Sequence, residues 1–243
     1  MIKKYLILGS GYTAQYLKPL ILSKTKDCKV FETSRSNSSH ILFDLSDPTT
    51  WGNIPKVDGT YWLFPASPED VVQSFLKEFR EKLGKLVVVG STSRFSVTKD
   101  HEEVNEAWVA DNSMDRVKGE EYIRSQKGIV VCASGIYGPN RNPKSWVEKG
   151  YVAPSDKYLN LIHVEDLSQI LIAAMDRGDE GLTYIASDNN PNTWNNLISF
   201  WKKTEGITLH GNPRVSKVKS KKINSSQTLG DLKVQLKYPN IIK

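Results

Sequence analysis

Two cysteines, Cys28 and Cys132, are all the thiol chemistry in this 243-residue sequence. That count excludes a disulfide framework, and with each cysteine in or beside a predicted strand, buried free thiols are expected. No zinc-ligand spacing is present, so no metal site is expected. Nor does any apolar run approach a membrane span: Lys3 and Lys4 precede Tyr5-Leu6-Ile7-Leu8, but the run breaks at Gly9, too early for a signal core. A cytoplasmic protein with no membrane partner is expected. Charge of one sign is also scarce, since 33 Lys+Arg against 27 Asp+Glu leave only +6. Much of that excess sits in Lys217, Lys219, Lys221 and Lys222. Without an aromatic-interleaved RNA motif or a helix-turn-helix pattern, this cluster reads as a solvated segment and no nucleic-acid partner is expected. Internal repeats and low-complexity tracts are missing as well.

What is there fits an enzyme-sized globular chain, with 39% hydrophobic and 25% charged residues. Short β-branched runs alternate with amphipathic stretches over the first three-quarters. Strands are predicted at 4–8, 29–33, 41–43, 60–64, 85–90, 128–134, 158–163 and 182–186, with helices at 12–23, 68–83, 115–126, 164–175 and 193–203. Ser67 is placed to cap the second helix and Pro68 to open it, with Glu69 and Asp70 at its positive end. The continuous apolar run Leu86-Val87-Val88-Val89 suits a strand covered on both faces. The alternation predicts an α/β fold, a Rossmann-type doubly wound parallel sheet. The rhythm breaks over 139–157 and from 189 onward, so these stretches are expected to form a small substrate-side lobe. It would interleave with a nucleotide-binding domain made of 1–138 and 158–188.

The strand Tyr5–Leu8 runs straight into Gly9-Ser10-Gly11-Tyr12-Thr13-Ala14, a dinucleotide-binding fingerprint between strand and helix signals. Gly9 permits the tight turn, Gly11 allows backbone to approach a pyrophosphate, and Ala14 lets the helix pack close to the strand. The helix would then aim its free N–H groups at the phosphates. Cofactor choice falls to the end of the second strand, Phe31-Glu32-Thr33-Ser34-Arg35-Ser36. Glu32 is read as turned away or one residue early, leaving Ser34, Arg35 and Ser36 for a 2′-phosphate, so NADP is preferred over NAD. Asp44 and Leu45 are expected at the adenine, and Pro65 and Ala66 beside the cofactor chain.

Hydroxyls cluster at Ser91-Thr92-Ser93, after the strand at 85–90. They would polarise a substrate carbonyl or cap the loop. Tyr137 would enter the site from another loop or pack structurally, and His163 would donate a proton or cap a helix. Asn140 and Arg141 are either anion contacts for a diphosphate-bearing substrate or turn and surface residues.

At these residues the sequence resembles the extended and atypical short-chain dehydrogenase/reductases, grouped with the NAD-dependent epimerase/dehydratases and nucleotide-sugar epimerases. The resemblance is carried by Gly9-x-Gly11-Tyr12, Gly135-Ile136-Tyr137-Gly138-Pro139 and Ile162-His163-Val164-Glu165-Asp166-Leu167. It continues through Lys222-Ile223-Asn224 and Leu236-Lys237-Tyr238-Pro239, nearly the whole length. It implies that Ser91 holds the substrate oxygen, with Ser93 beside it, and that a Tyr-x-x-x-Lys pair on the helix at 115–126 moves the proton. The pair is broken. With Lys118 in the lysine place, where it would hold the cofactor ribose, the residue four earlier is Met114; in the other register it is Asn112. Tyr122, the nearest phenol, is followed four residues on by Gln126 and does not rebuild the motif.

Two functions of different class follow. One is an atypical NADP-dependent oxidoreductase, epimerase or dehydratase acting on a nucleotide sugar or a related small carbonyl or alcohol, with Ser91, His163 and Tyr137 as candidate catalytic groups. The other is a non-catalytic NADP-binding redox sensor or scaffold, for which the lost Tyr-Lys pair speaks. A helix-paired homodimer would be ordinary for the resembled family.

Overall fold

A computed structural model describes residues 2–36, 38–209 and 218–242. The first half contributes strands β1 (Lys3–Leu8), β2 (Cys28–Ser34), β3 (Ile41–Leu42), β4 (Gly59–Trp62), β5 (Lys85–Ser91) and β6 (Glu102–Val104). The second half adds β7 (Ile129–Ala133), β8 (Gly135–Tyr137), β9 (Tyr158–Leu159), β10 (Leu161–His163), β11 (Thr183–Ala186), β12 (Asn192–Thr193) and β13 (Lys221–Ile223). The helices are α1 (Tyr12–Lys24), α2 (Glu69–Phe79), α3 (Asp115–Ser125), α4 (Lys144–Glu148), α5 (Val164–Arg177), α6 (Trp194–Glu205) and α7 (Ser226–Asp231). Seven strands form one sheet in the order β11-β7-β5-β4-β1-β2-β3. Every pairing within it is parallel, as in Leu6↔Phe31 and Val88↔Val130. The chain winds outward from β1 through β2 and β3, then crosses back to β4, which makes β1 and β4 the point where the winding reverses.

Period-2 alternation distributes the side chains between two covering layers. Leu6 and Leu8 of β1, with Trp62, Leu86 and Val88, pack into one hydrophobic cluster under Phe75 and Phe79 of α2 and Ile123 of α3. Tyr5 and Ile7, with Tyr61, Val87 and Val131, pack on the opposite face against Leu17 of α1 and Leu167, Ile170 and Leu171 of α5. Each of the fully buried aliphatic side chains contributes about 1.5–3 kcal/mol. Gly119 of α3 lets that helix approach the loop after β4, where a Cβ would lie 1.9 Å from the Ala66 carbonyl oxygen.

Several expected boundaries move. The predicted strand at 158–163 is two strands in different sheets: β9 pairs antiparallel with β12, while β10 pairs parallel with β8. Ser67 makes no capping bond to α2; Pro68 holds the cap position, and the Glu69 N–H donates instead to Asp115 Oδ2 at 3.3 Å. The helix at 68–83 breaks at Phe79 into a short 3-10 turn, Arg80–Lys82.

The two stretches expected to form a lobe share a third cluster, in which Val147 of α4 meets Leu197, Ile198 and Trp201 of α6. Ile241 and Ile242 also pack on this cluster, whereas the chain over 221–236 goes elsewhere. β13 pairs with β6, and α7 returns to the sheet, where Thr228 Oγ1 accepts from the Ile185 N–H at 2.8 Å. Leu229, Leu232, Val234 and Leu236 accordingly join the cluster around α5. Both cysteines are free, Cys132 fully buried and Cys28 partly so. Among the described residues no helix is long and apolar enough to cross a membrane, and no group of three metal-ligating side chains gathers.

Candidate functional site

The carboxyl ends of β1, β2 and β4, with the turn after β3, enclose a cleft of about 530 Å³ at the winding reversal. Gly9, Ser10 and Gly11 form its floor. Gly9 has φ +96°, the left-handed region, and its N–H donates to Thr33 Oγ1 at 3.0 Å, so the turn is anchored to β2. Gly11 caps α1, and a Cβ placed there would meet nothing within 4 Å. The open space before the first turn of a helix, whose leading N–H groups have no intrahelical acceptor, suits a pyrophosphate. These residues fit a dinucleotide. Ala14 is buried in the same cluster as Ile7 of β1 and Leu17, where α1 packs on the sheet. Thr13, in the first turn of α1, does not line the cleft.

Ser34, Arg35 and Ser36 line the far end together with Asp44 and Leu45. The Ser36 N–H donates to Ser34 Oγ at 3.2 Å, which curls the loop around Arg35. Glu32 is committed elsewhere, paired with Lys18 and 3.5 Å from His40 Nε2, so no carboxylate of β2 faces the cleft. Asp44 holds the Ser46 N–H at 2.9 Å. Pro65 lines the cleft, whereas Ala66 is fully buried and spent on the contact with Gly119. Thr33, Phe43, Phe64 and Ser67 also line it and were not anticipated. Their signal, small or aromatic residues at or after a strand end, becomes readable only once the strand order is known.

A second cavity, of about 810 Å³, opens at the carboxyl ends of β5 and β7. Ser91 and Ser93 sit in its wall with their hydroxyls 3.1 Å apart, and Ser91 Oγ accepts from the Ser93 N–H at 3.2 Å. Ser91 thus caps its loop and also lines the cavity. Arg116 of α3 donates to Ser93 Oγ at 3.0 Å. Behind it lies a buried ion-pair network: Glu120 accepts from Arg116 at 2.6 Å and from Arg94 at 3.0 Å, and Arg94 also pairs with Glu121. Burial holds Glu120 above the ordinary carboxylate range, with Arg116 and Arg94 pulling the other way. Burial likewise raises the Cys132 thiol beneath them to about 12, so it stays protonated. Sequence reading missed this network. Its trace was the i,i+4 pair Arg116–Glu120 on a helix face.

No protein-family model and no curated protein matches the sequence. Solved structures do. A conserved protein of unknown function from Silicibacter pomeroyi superposes with TM-score 0.75 at 22% identity, covering 98% of this chain and 95% of that one. ADP-L-glycero-D-manno-heptose-6-epimerase from Helicobacter pylori gives 0.78 at 15% identity, covering 97% and 92%. dTDP-glucose 4,6-dehydratase from Bacillus anthracis, solved in complex with NAD, gives 0.76 at 14% identity over 97% and 92%. The fold is that of the NAD-dependent epimerase/dehydratases.

In this epimerase/dehydratase fold, Met114 lines the second cavity while Lys118 is exposed on α3 and lines neither cavity. Met114 thus presents a thioether to that cavity, whereas Asn112, the residue of the other register, is exposed and lines neither cavity. Arg141 lines the second cavity, with its guanidinium 5.5 Å from the ring centre of Tyr12. Tyr12 donates its hydroxyl to the Pro139 carbonyl at 3.0 Å, and burial raises that phenol to about 12. Asn140 is exposed, with φ +62°, and lines neither cavity.

His163 and Tyr137 also line neither cavity. His163 is buried and caps α5, its Nδ1 accepting from the Glu165 N–H at 3.3 Å. Burial lowers its pKa, against Glu165 and Asp166, which favours a neutral ring with the proton on Nε2. Its ring meets Tyr137 edge-on at 5.1 Å and lies 3.8 Å from Tyr238. Asp166 fixes that last contact by accepting from the Lys237 and Tyr238 N–H groups, each at 2.8 Å. This stack joins the stretches 162–167 and 236–239 in space. Lys217 of the lysine cluster lies outside the described residues.

Proposed function

We propose that this chain is an NADP-dependent oxidoreductase, epimerase or dehydratase acting on a nucleotide sugar or a related small carbonyl or alcohol substrate. The observation that carries the reading is the pairing of two cavities along one edge of the sheet. A cleft floored by the glycine loop sits at β1, β2 and β4, and beside it at β5 and β7 is a cavity presenting Ser91. The nicotinamide nucleotide would supply hydride transfer. Gly9, Ser10, Gly11 and the start of α1 would hold its pyrophosphate, and Ser34, Arg35 and Ser36 its 2′-phosphate, since Glu32 is engaged with Lys18 and His40. Ser91 would bind the substrate oxygen, with Ser93 and Arg116 fixing its hydroxyl, and Arg141 would contact an anionic group of the substrate.

The epimerase and dehydratase neighbours act on sugar nucleotides by name, which supports that substrate class. The missing Tyr-Lys pair, with Met114 or Asn112 at the tyrosine position according to the register, supports the second reading, a non-catalytic NADP-binding redox sensor or scaffold. A panel of sugar nucleotides and small carbonyls, followed through nicotinamide absorbance, separates the two. Turnover of one substrate, reduced about 100-fold in Ser91→Ala, supports the enzyme; a panel without any substrate-dependent change counts against it.

A further inference from the structure

Lys221 opens β13, and the pairing of that strand with β6 carries it to the wall of the cavity that holds Ser91 and Met114. Asn160 grips both sides of the position: its Nδ2 donates to the Lys221 carbonyl at 2.9 Å and its Oδ1 accepts from the Ile223 N–H at 2.8 Å. The Lys221 ammonium donates to the Phe95 carbonyl, a neutral acceptor. Among the described residues no carboxylate lies within ion-pair distance of it. The nearby acids are engaged elsewhere. Glu102, its register partner, turns to the Thr98 and Lys99 N–H groups, and Asp100 holds the Ser220 N–H and Lys157. The charged groups facing the cavity are cations, Lys219 and Arg141 in its lining and Arg116 through Ser93. Lys222, next along the strand, alternates away and lies over the Tyr158 ring.

We propose that Lys221 is the acid–base group of this cavity, exchanging the substrate hydroxyl proton in the absence of a tyrosine; this rests on the oxidoreductase reading above. In the oxidative direction the substrate O–H bond breaks and its proton passes to the neutral Lys221 Nζ. The adjoining C–H bond breaks with its electron pair, hydride leaves to the oxidised nicotinamide, and the C–O bond becomes C=O. Reduction runs the same exchange backwards, with the Lys221 ammonium giving the proton. A carboxylate partner would hold that proton in place, whereas a carbonyl contact lets it transfer. Burial brings the amine down to about 8, within reach of both protonation states near neutrality.

The test follows the Lys221 amine by NMR in protein carrying isotope-labelled lysine, its resonance assigned by disappearance in Lys221→Arg. The titration is repeated with saturating NADP⁺ and with saturating NADPH. The two forms differ at the nicotinamide, whose oxidised ring carries a positive charge. An amine at the reacting centre titrates at least about half a pH unit lower with NADP⁺ than with NADPH, whereas a remote structural lysine moves equally with both. A midpoint near 8 in the free protein with that split supports the proposal. Binding of both forms with identical Lys221 titrations overturns it and leaves the cofactor site standing. Failure of either form to bind overturns the underlying functional reading and the proposal with it.

Discussion

Arg116 reaches from the buried interior to the cavity wall, because Glu120, itself paired with Arg94, fixes one side of its guanidinium while Ser93 takes the other. A charge network of this kind is costly to interrupt, since removal of one partner leaves the others buried without compensation. Glu120→Gln is therefore expected to destabilise the fold by about 3 kcal/mol, read from the urea midpoint. Asp188 shows the opposite situation. It is buried, it accepts the Asn190 N–H at 3.0 Å, and burial lifts it from 3.8 to about 7. Because its folded value lies above its unfolded one, its contribution is intact below about 3.8 and is lost as pH rises to about 7. Asp188→Asn keeps the acceptor oxygen and removes the titration. The variant should lack this fall, and the wild-type protein should lose on the order of a few kcal/mol relative to it across that window, seen as diverging urea midpoints.

At the scale of elements, α3 is the piece on which the second cavity depends, since Met114 precedes it, Arg116 lies in its first turn and Glu120 anchors it. Its seating rests on Gly119, where any Cβ would collide with the Ala66 carbonyl. Gly119→Ala is expected to cost at least about 1–3 kcal/mol in urea unfolding and to lower any turnover further by shifting Arg116 off Ser93. Elements of this central kind were legible in advance. The strands of the parallel sheet carry continuous or alternating apolar runs, and α5 carries a clear apolar face. What escaped were the short pairs β6–β13, β8–β10 and β9–β12. Two- and three-residue strands have too few side chains to show a period, and their partners lie tens of residues away. Ser67 misled for a related reason: its cap signal is genuine locally, but the Asp115 carboxylate, distant in sequence, takes the Glu69 N–H instead.

At the scale of the whole molecule, the parallel winding gathers residues from widely separated segments onto one edge. The glycine loop announced itself because all of its parts are contiguous and stand between a strand and a helix. Lys221 and Arg116 did not, because the first lay hidden in a lysine cluster read as solvated and the second in an ordinary helical charge pair. The β6–β13 pairing brings Lys221 to the cavity that Ser91 lines, and the Gly119 contact seats the helix from which Arg116 reaches Ser93. The same topology places Arg35 at the far end of the glycine loop and commits Glu32 to Lys18 and His40. Nucleotide binding in that cleft is decided by calorimetric titration of the protein with NADPH and with NADH, repeated on Arg35→Ala. NADPH should bind more tightly than NADH, and Arg35→Ala should weaken NADPH about 10- to 100-fold with little change for NADH, the loss of a charge-assisted phosphate contact. No binding of either nucleotide, or equal binding that is indifferent to Arg35, would contradict the account.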